Sequence, residues 1–427
     1  MRTEKRSAFL SGICGVAVAL GMMAASAQAD ITTERGASIL AFPKVLADGD
    51  SDTIIQITNI SNNMVHADCF YVNAQDPSGG VGTIRPVPPQ PLWQVTDFKI
   101  WLTKQQPTHW QVSTGRFVNP IDSCIVNGVI VPSVQCANAG IDPGAVPPVP
   151  VGFKGELKCV EVDIADNPIG GNHLKGEALI KTGGDATKYN AIGIIGTDLA
   201  GETGHVLQLD QPLDATEPVG QYNACPNVLL MNHFAEGVTD PFILDRGLGG
   251  LCSGGAGPCT FDDDCPDPQT CTNGSQILDA MGQLNLISAT VTDLALIPCN
   301  QDFENAVPST VTVQFEIYNE FEQVLSASRS ITCWDDFFLF TVNSTNDPER
   351  SPFSFAVQGT TVLHTKVKPV TPLEDFAGGV LGVMGVTRAD AQGNLTRVEL
   401  NIPVEGDRFT ATGKIDRITL PQFGLGF

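Results

Sequence analysis

The stretch that most constrains the fold is 310–334. Val311, Val313, Phe315 and Ile317 alternate there with Thr312, Gln314, Glu316 and Tyr318. A period of two places apolar side chains on one face of an extended chain and polar ones on the other. β-branched and aromatic residues dominate, as a pleated, half-buried surface prefers. Asn319, Glu320, Glu322 and Gln323 interrupt the pattern, and a second extended run, 324–334, returns through Cys333. The spacing predicts an antiparallel hairpin with a short polar connection. A hairpin alone is marginal in water, so this one must lie on a larger sheet or against a second sheet.

Similar runs recur along the chain. Strands are expected at 38–42, ended by Pro43, at 53–58 and at 64–72, with a turn over 59–63 that would make the last two a second hairpin. Both hairpins close on an asparagine (Asn59, Asn319), return to a cysteine (Cys69, Cys333) and precede an Asp-Phe strand (Asp97-Phe98, Asp336-Phe337). That likeness reads either as an internal duplication or as the same hairpin physics used twice. Further strands are expected at 154–163, 177–181, 189–196, 226–233, 287–297, 360–370, 380–387, 395–404 and 408–420, and one short helix at 275–282. Charged residues are only 17% of the chain, while 43 Gly and 29 Pro punctuate it. The profile is all-β: two immunoglobulin-like antiparallel β-sandwich domains with long disulfide-tied loops. The expected division is a signal segment 1–29, an N-terminal sandwich 30–215 and a C-terminal sandwich 216–427 carrying a Cys/Asp-rich loop 252–271. The polar, turn-rich 201–221 is the boundary.

Residues 1–29 have the form of a secretory signal. Arg2, Lys5 and Arg6 precede an apolar run, and Ala27-Gln28-Ala29 is a small-x-small cleavage site before Asp30. The run is short for a membrane span, and no later segment is long and apolar enough to be one. The expectation is a secreted chain, extracellular or periplasmic. The formal charge is −23, a surface that repels nucleic acid and anionic lipid. Of 12 cysteines, Cys14 lies in the signal, which leaves 11. In an exported chain these should form disulfides, with one thiol left over. Cys124–Cys136 would tie the Gly/Pro/Asn-rich segment 116–150.

Candidate chemistry is sparse. Cys252, Cys259, Cys265 and Cys271 are separated by six, five and five residues. Zinc sites prefer pairs two to four residues apart, so two disulfides locking a loop is the better reading. Asp262, Asp263, Asp264 and Asp267 inside that loop either bind calcium, a hard cation that takes oxygen ligands, or simply solvate it. No other cofactor is implied. The chain has no Gly-x-Ser-x-Gly, His-Glu-x-x-His, P-loop or Gly-x-Gly-x-x-Gly pattern. Its six histidines are scattered, and His233 at a strand end reads as structural. Asp335 and Asp336 are adjacent, so on a strand they face opposite ways and share no cleft. Trp101, His109 and Trp110, with Trp93, are the aromatic set that could stack on a sugar ring. The competing reading of the His109-Trp110 pair is a plug at one end of a sandwich.

The Ile57-Thr58-Asn59-Ile60-Ser61-Asn62-Asn63 core of block 36–73, with block 295–334, resembles exported β-rich proteins of environmental bacteria, which carry no assigned activity or site residues. The 252–271 loop resembles short Cys- and Asp-rich modules of secreted bacterial proteins. These resemblances imply export and β structure. Together the readings point to a secreted, non-enzymatic structural or surface-binding protein whose partner is a cell-surface or matrix polysaccharide or protein. A carbohydrate-binding protein is the alternative, and a secreted hydrolase the third.

Overall fold

The computed structural model describes residues 31–75, 93–117, 125–126, 129–130, 142–196, 206–210, 220–223, 225–226, 228–236, 250–252, 258–259, 271–272, 289–305, 307–343, 350–370, 378–389, 395–404 and 416–421. The signal segment 1–29, the helix expected at 275–282, Cys124, Cys136, Cys265 and Asp262, Asp263, Asp264 and Asp267 lie outside the described residues.

The first half runs β1 (Ile31–Thr32), β2 (Ile39–Ala47), β3 (Ser51–Asn59), β4 (Val65–Asn73), β5 (Gln94–Leu102), β6 (Pro107–Gln111), a short pair β7 (Ile125–Val126) and β8 (Val129–Ile130), then β9 (Phe153–Val162), β10 (Leu174–Thr182), β11 (Asp185–Asn190) and β12 (Ile192–Ile194). β2 and β3 pair only at Ala47 and Asp52, then diverge into two facing layers. One layer runs β11, β10, β3, β6. The other runs β12, β2, β9, β4, β5, with β1 on the edge of β12. Phe42, Ile55, Tyr71, Phe98, Trp110 and Leu157 fill the space between them. Alternation in β3 explains its place: Thr53, Ile55, Ile57 and Asn59 are buried, and Gln56 is exposed.

Two sequence expectations fail here. The strand from Ser38 does not stop at Pro43. It continues to Ala47 through a register shift between Phe42 and Val45. An irregularity of this kind removes the need for a ladder hydrogen bond that proline cannot donate, and the Pro43 carbonyl accepts from Trp334 Nε1 at 2.7 Å instead. The second hairpin also does not form. β3 pairs with β10 and β6, and β4 with β5 and β9, so the turn after Asn59 carries the chain between layers. The Asn59 amide donates to Leu102 O at 3.2 Å and Thr103 O at 2.9 Å, at the far end of β5. Asn319 accepts from Phe321 N and Gln323 N at 3.0 and 2.9 Å and also donates to Gln358 O at 3.3 Å, and there a true hairpin closes. The two asparagines are alike in sequence and opposite in topology.

The second half runs β13 (Val206–Asp210), β14 (Gly220–Asn223), β15 (Leu229–Phe234), β16 (Gly250–Cys252), β17 (Pro258–Cys259), β18 (Cys271–Thr272), β19 (Ala289–Pro298), β20 (Gln301–Asp302), β21 (Thr310–Tyr318), β22 (Val324–Thr332), β23 (Asp335–Phe338), β24 (Val362–Val370), β25 (Val380–Ala389), β26 (Leu395–Asn401) and β27 (Asp416–Thr419). The expected hairpin is β21–β22, in register from Thr310 opposite Thr332 to Tyr318 opposite Val324. It lies in a sheet ordered β15, β24, β21, β22, which faces a second sheet ordered β23, β19, β25, β26. Val313, Phe315, Leu294, Leu296, Phe337 and Leu363 pack between these layers. Helix among the described residues is limited to a 3-10 turn over Leu339–Thr341, Arg350 in 3-10 conformation and one α-helical turn over Phe355–Gln358. The fold is all-β in several antiparallel sheets, as expected, except in one small sheet. There β27 lies parallel to both β13 and β20, a pairing open to strands joined by long crossovers.

The outer face of the β12-β2-β9-β4-β5 layer packs on the outer face of the β23-β19-β25-β26 layer. Phe70, Val160 and Ile194 meet Ile297 and Leu381 there, and Phe70 also stacks at 4.5 Å on Phe303, which follows β20. The four larger layers are thus stacked, and the inner two are covered on both faces. That is why β2 is buried throughout and β9 almost so. Disulfides Cys69–Cys159 and Cys225–Cys299 tie β4 to β9 and the entry of β15 to the end of β19. Cys333 is free and buried. In the short sheet 250–272 the backbone register sets Cys252 opposite Cys271. No helix among the described residues is long and apolar enough to cross a membrane.

Candidate functional site

The densest chemistry lies between the two inner sheets. Lys44 projects from the irregular segment of β2, its backbone held by the Tyr189 hydroxyl, which donates to Lys44 O at 2.6 Å. The Lys44 ammonium contacts Asp293 of β19, Asp336 of β23 at 2.9 Å and Glu399 of β26 at 3.8 Å. Arg397 of β26 bridges Asp293 at 2.6 and 2.7 Å and reaches Glu399 at 2.8 Å. Strand alternation makes this convergence possible: Asp293, Asp336, Arg397 and Glu399 all leave the apolar face of their sheet to Leu294, Leu296 and Phe337. Gly385 clears the space, since a Cβ there would meet Arg397 Nη2 at 2.1 Å and Asp293 Oδ1 at 2.6 Å.

Two cations face three carboxylates in this cluster. Burial alone would lower the Lys44 ammonium, but Asp336, Asp293 and Glu399 hold it up at about 12. Burial pushes Asp336 up to about 6, against the pull of Lys44. Asp293 falls below its ordinary range because Lys44 and Arg397 overcome its burial. Asp336 therefore holds its proton more readily than Asp293. Asp335, its neighbour, points the other way and pairs with Arg329 at 2.5 Å, as adjacent strand residues must.

A second buried pair lies nearby. Lys158 meets Glu156 at 2.7 Å, both wholly enclosed, and the Gln301 side chain bonds to each. Burial pushes Glu156 up and Lys158 down, and their contact opposes both shifts. Gln301 also lines a cleft of about 310 Å³, together with Val307, Pro308, Val370, Asp302, Thr310 and Arg417. That is the size and mixed lining of a small-ligand site. Its polar groups are tied locally: Asp302 accepts from Asn305 N and Nδ2 at 2.9 Å each.

The sequence-derived site residues do not converge. Trp110 sits between the first two layers, its Nε1 donating to Tyr71 Oη at 2.6 Å and its ring edge-on to Phe98. Residues 107–111 are a strand rather than a loop, so His109 on the exposed face and Trp110 on the buried one point apart. Trp101 is buried on the opposite face of the second layer, 3.6 Å from the His66 ring, and Trp93 is buried as well. Three tryptophan rings therefore spend their faces on neighbours. His233 is enclosed between Thr365 and Phe353, and burial pushes it down to about 4. Cys225, Cys299 and Asp416 come within metal-ligand distance, but the two sulfurs are already joined to each other. The Lys44 cluster escaped sequence reasoning. The signal for it was Asp293, a charge directly before the apolar run Leu294-Ala295-Leu296-Ile297.

No family model matches the chain, and no curated protein matches it. Among solved structures, the N-terminal CBM22-1-CBM22-2 tandem domain of Xyn10C from Paenibacillus barcinonensis is similar over 86% of this chain and 85% of its own, with 8% identity and a TM-score of 0.15. A glycosyl hydrolase family 2 member from Bacteroides cellulosilyticus is similar over 85% of this chain and 28% of its own, with 8% identity and a TM-score of 0.10. Similarity at this level supports no functional argument.

Proposed function

We propose that the protein is a secreted, non-enzymatic structural module that binds at a cell surface or matrix. The observation that carries this reading is where the charge is placed. Lys44, Asp293, Asp336, Arg397 and Glu399 are directed at one another across the middle of the sheet stack. Buried charges so paired specify how layers join, and they suit a body that keeps its shape. Disulfides Cys69–Cys159 and Cys225–Cys299 fit an oxidising compartment outside the cytoplasm.

A carbohydrate-binding role is the second reading, and the cleft over Gln301 favours it more than the tryptophans do. The deciding experiment incubates purified protein with insoluble cell-surface and matrix polysaccharides and with matrix proteins. Retention without release of soluble products is the expected result. Loss of retention from polysaccharide on Arg417→Ala would favour the carbohydrate reading. Turnover of polysaccharide, peptide or ester would overturn both in favour of a hydrolase.

A further inference from the structure

We infer that β22 is a self-association edge, on which a second copy of this chain adds its own β22 antiparallel to form a continuous sheet across a twofold axis at Ser328. β22 ends its sheet, and among the described residues no strand pairs with its outer side. Its backbone polarity can be read from the hairpin. The Asn319 N–H donates to Gln323 O at 3.1 Å, and the Cys333 N–H donates to Ser309 O at 2.8 Å. With strand alternation, the odd-numbered residues of β22 bond inward to β21, and the N–H and C=O of Val324, Ser326, Ser328 and Ser330 point outward, while the Thr332 carbonyl already accepts from Trp334 N at 2.6 Å.

Three features make this edge fit its own copy. First, it lacks most of the usual protections, Arg329 over the Phe337 ring being its one inward-facing charge. β22 holds no proline and no lysine, and its nine register pairs with β21 run without a bulge. Second, it is nearly palindromic about Ser328. An antiparallel twofold pairing sets Val324 opposite Thr332, Leu325 opposite Ile331, Ser326 opposite Ser330 and Ala327 opposite Arg329. Each position thus meets one of like size or, at Ala327, one that leaves room. The same register brings outward-pointing groups face to face, as an isologous contact requires. Leu325 and Ile331, which pack on the inner core, would extend that core across the axis.

Third, charge favours this place over others. The chain carries a formal −23, so two copies repel over most of their surface. β22 contains one charged side chain, Arg329, already neutralised by Asp335. Hydroxyls of the outer face continue the pattern: Thr310 bonds Thr332 and Thr312 bonds Ser330, each at 3.0 Å, and the pairing adds a serine row beside them.

The inference goes beyond the proposed module and fails separately from it, because a monomer could still be retained on polysaccharide. Sedimentation equilibrium of the purified protein should show a reversible monomer–dimer association. Ser328→Lys places two like charges opposite each other on an exposed position, and should weaken association about tenfold or more. Ser328→Glu should do the same, and mixing the two variants should restore dimers as heterodimers. Ser328→Cys should yield a dimer linked through residue 328, identified by mass spectrometry of unreduced peptides. Unchanged circular dichroism would confirm that each variant is folded. A wild type that sediments as a monomer at every concentration overturns the inference. So does a dimer indifferent to both charges, because it would use another surface.

Discussion

At the scale of single residues, the unusual feature is how many ionisable groups are enclosed. Lys44 is central among them, since it touches carboxylates from three strands of another sheet. Replacing it with methionine keeps its length and leaves those carboxylates with Arg397 alone. Lys44→Met should lower stability by about 3–5 kcal/mol, the usual result of breaking a buried pair, read as a shift in the urea midpoint. Little or no shift would mean the cluster does not join the sheets. Asp68 is enclosed without a hydrogen-bond partner for either oxygen, and burial raises it to about 7 despite Lys99. The folded chain therefore keeps a proton that the unfolded chain releases near pH 4. Its contribution to stability is present at low pH and is lost as pH rises towards 7. Asp68→Asn has no such proton to lose. Urea unfolding from pH 4 to 7 should show the variant gaining on the wild type as pH rises, and parallel curves would contradict the assignment. None of these roles was legible from residue type. Trp110 and Trp101 announce themselves in the sequence, but an aromatic beside a histidine looks the same whether it faces a sugar or a core. The register of β6 and β5 settles which face each takes.

At the scale of elements, legibility follows burial. β21 and β22 were readable almost to the residue because one face is wet, so their side chains alternate in character. β2 was cut short at Pro43 because a strand buried on both faces carries no alternation to continue past a proline. The pairing of β3 and β4 is not legible because Asn59 and Asn319 obey the same local chemistry and each also bonds a distant carbonyl, so the partners of the flanking strands decide whether the chain turns back or crosses. The cluster was invisible for a related reason: its members come from β2, β19, β23 and β26, and sequence spacing says nothing about four strands meeting. Cysteine pairing was open for the same cause. Cys69–Cys159 joins adjacent strands 90 residues apart in the chain. Removing it by the double substitution to serine should lower stability by about 4 kcal/mol, the expectation for so long a loop. Thermal melting with and without the bridge reads this directly, and an unchanged midpoint would count against it. Cys333 should resist alkylation in the folded protein and react once denaturant is added, since it is buried. Labelling under native conditions would show the packing around it to be open.

At the scale of the whole molecule, the four sheets read as one body. The two outer layers each cover an apolar core, while the two inner layers share a boundary that is apolar around Phe70 and Phe303 and charged around Lys44. The β11–β26 contact closes one end of that boundary, where Asn401 Nδ2 donates to Asn190 O at 2.7 Å and Glu399 N to the Thr187 hydroxyl at 2.6 Å. A shared interior of this kind couples the unfolding of the halves, whereas sandwiches joined only by a linker would melt apart. The most direct test is differential scanning calorimetry of the oxidised protein beside the Lys44→Met variant. The wild type should unfold in one transition whose calorimetric and van't Hoff enthalpies agree, and the variant should melt lower or split in two. Two separate wild-type transitions, unmoved by Lys44→Met, would contradict the joined stack.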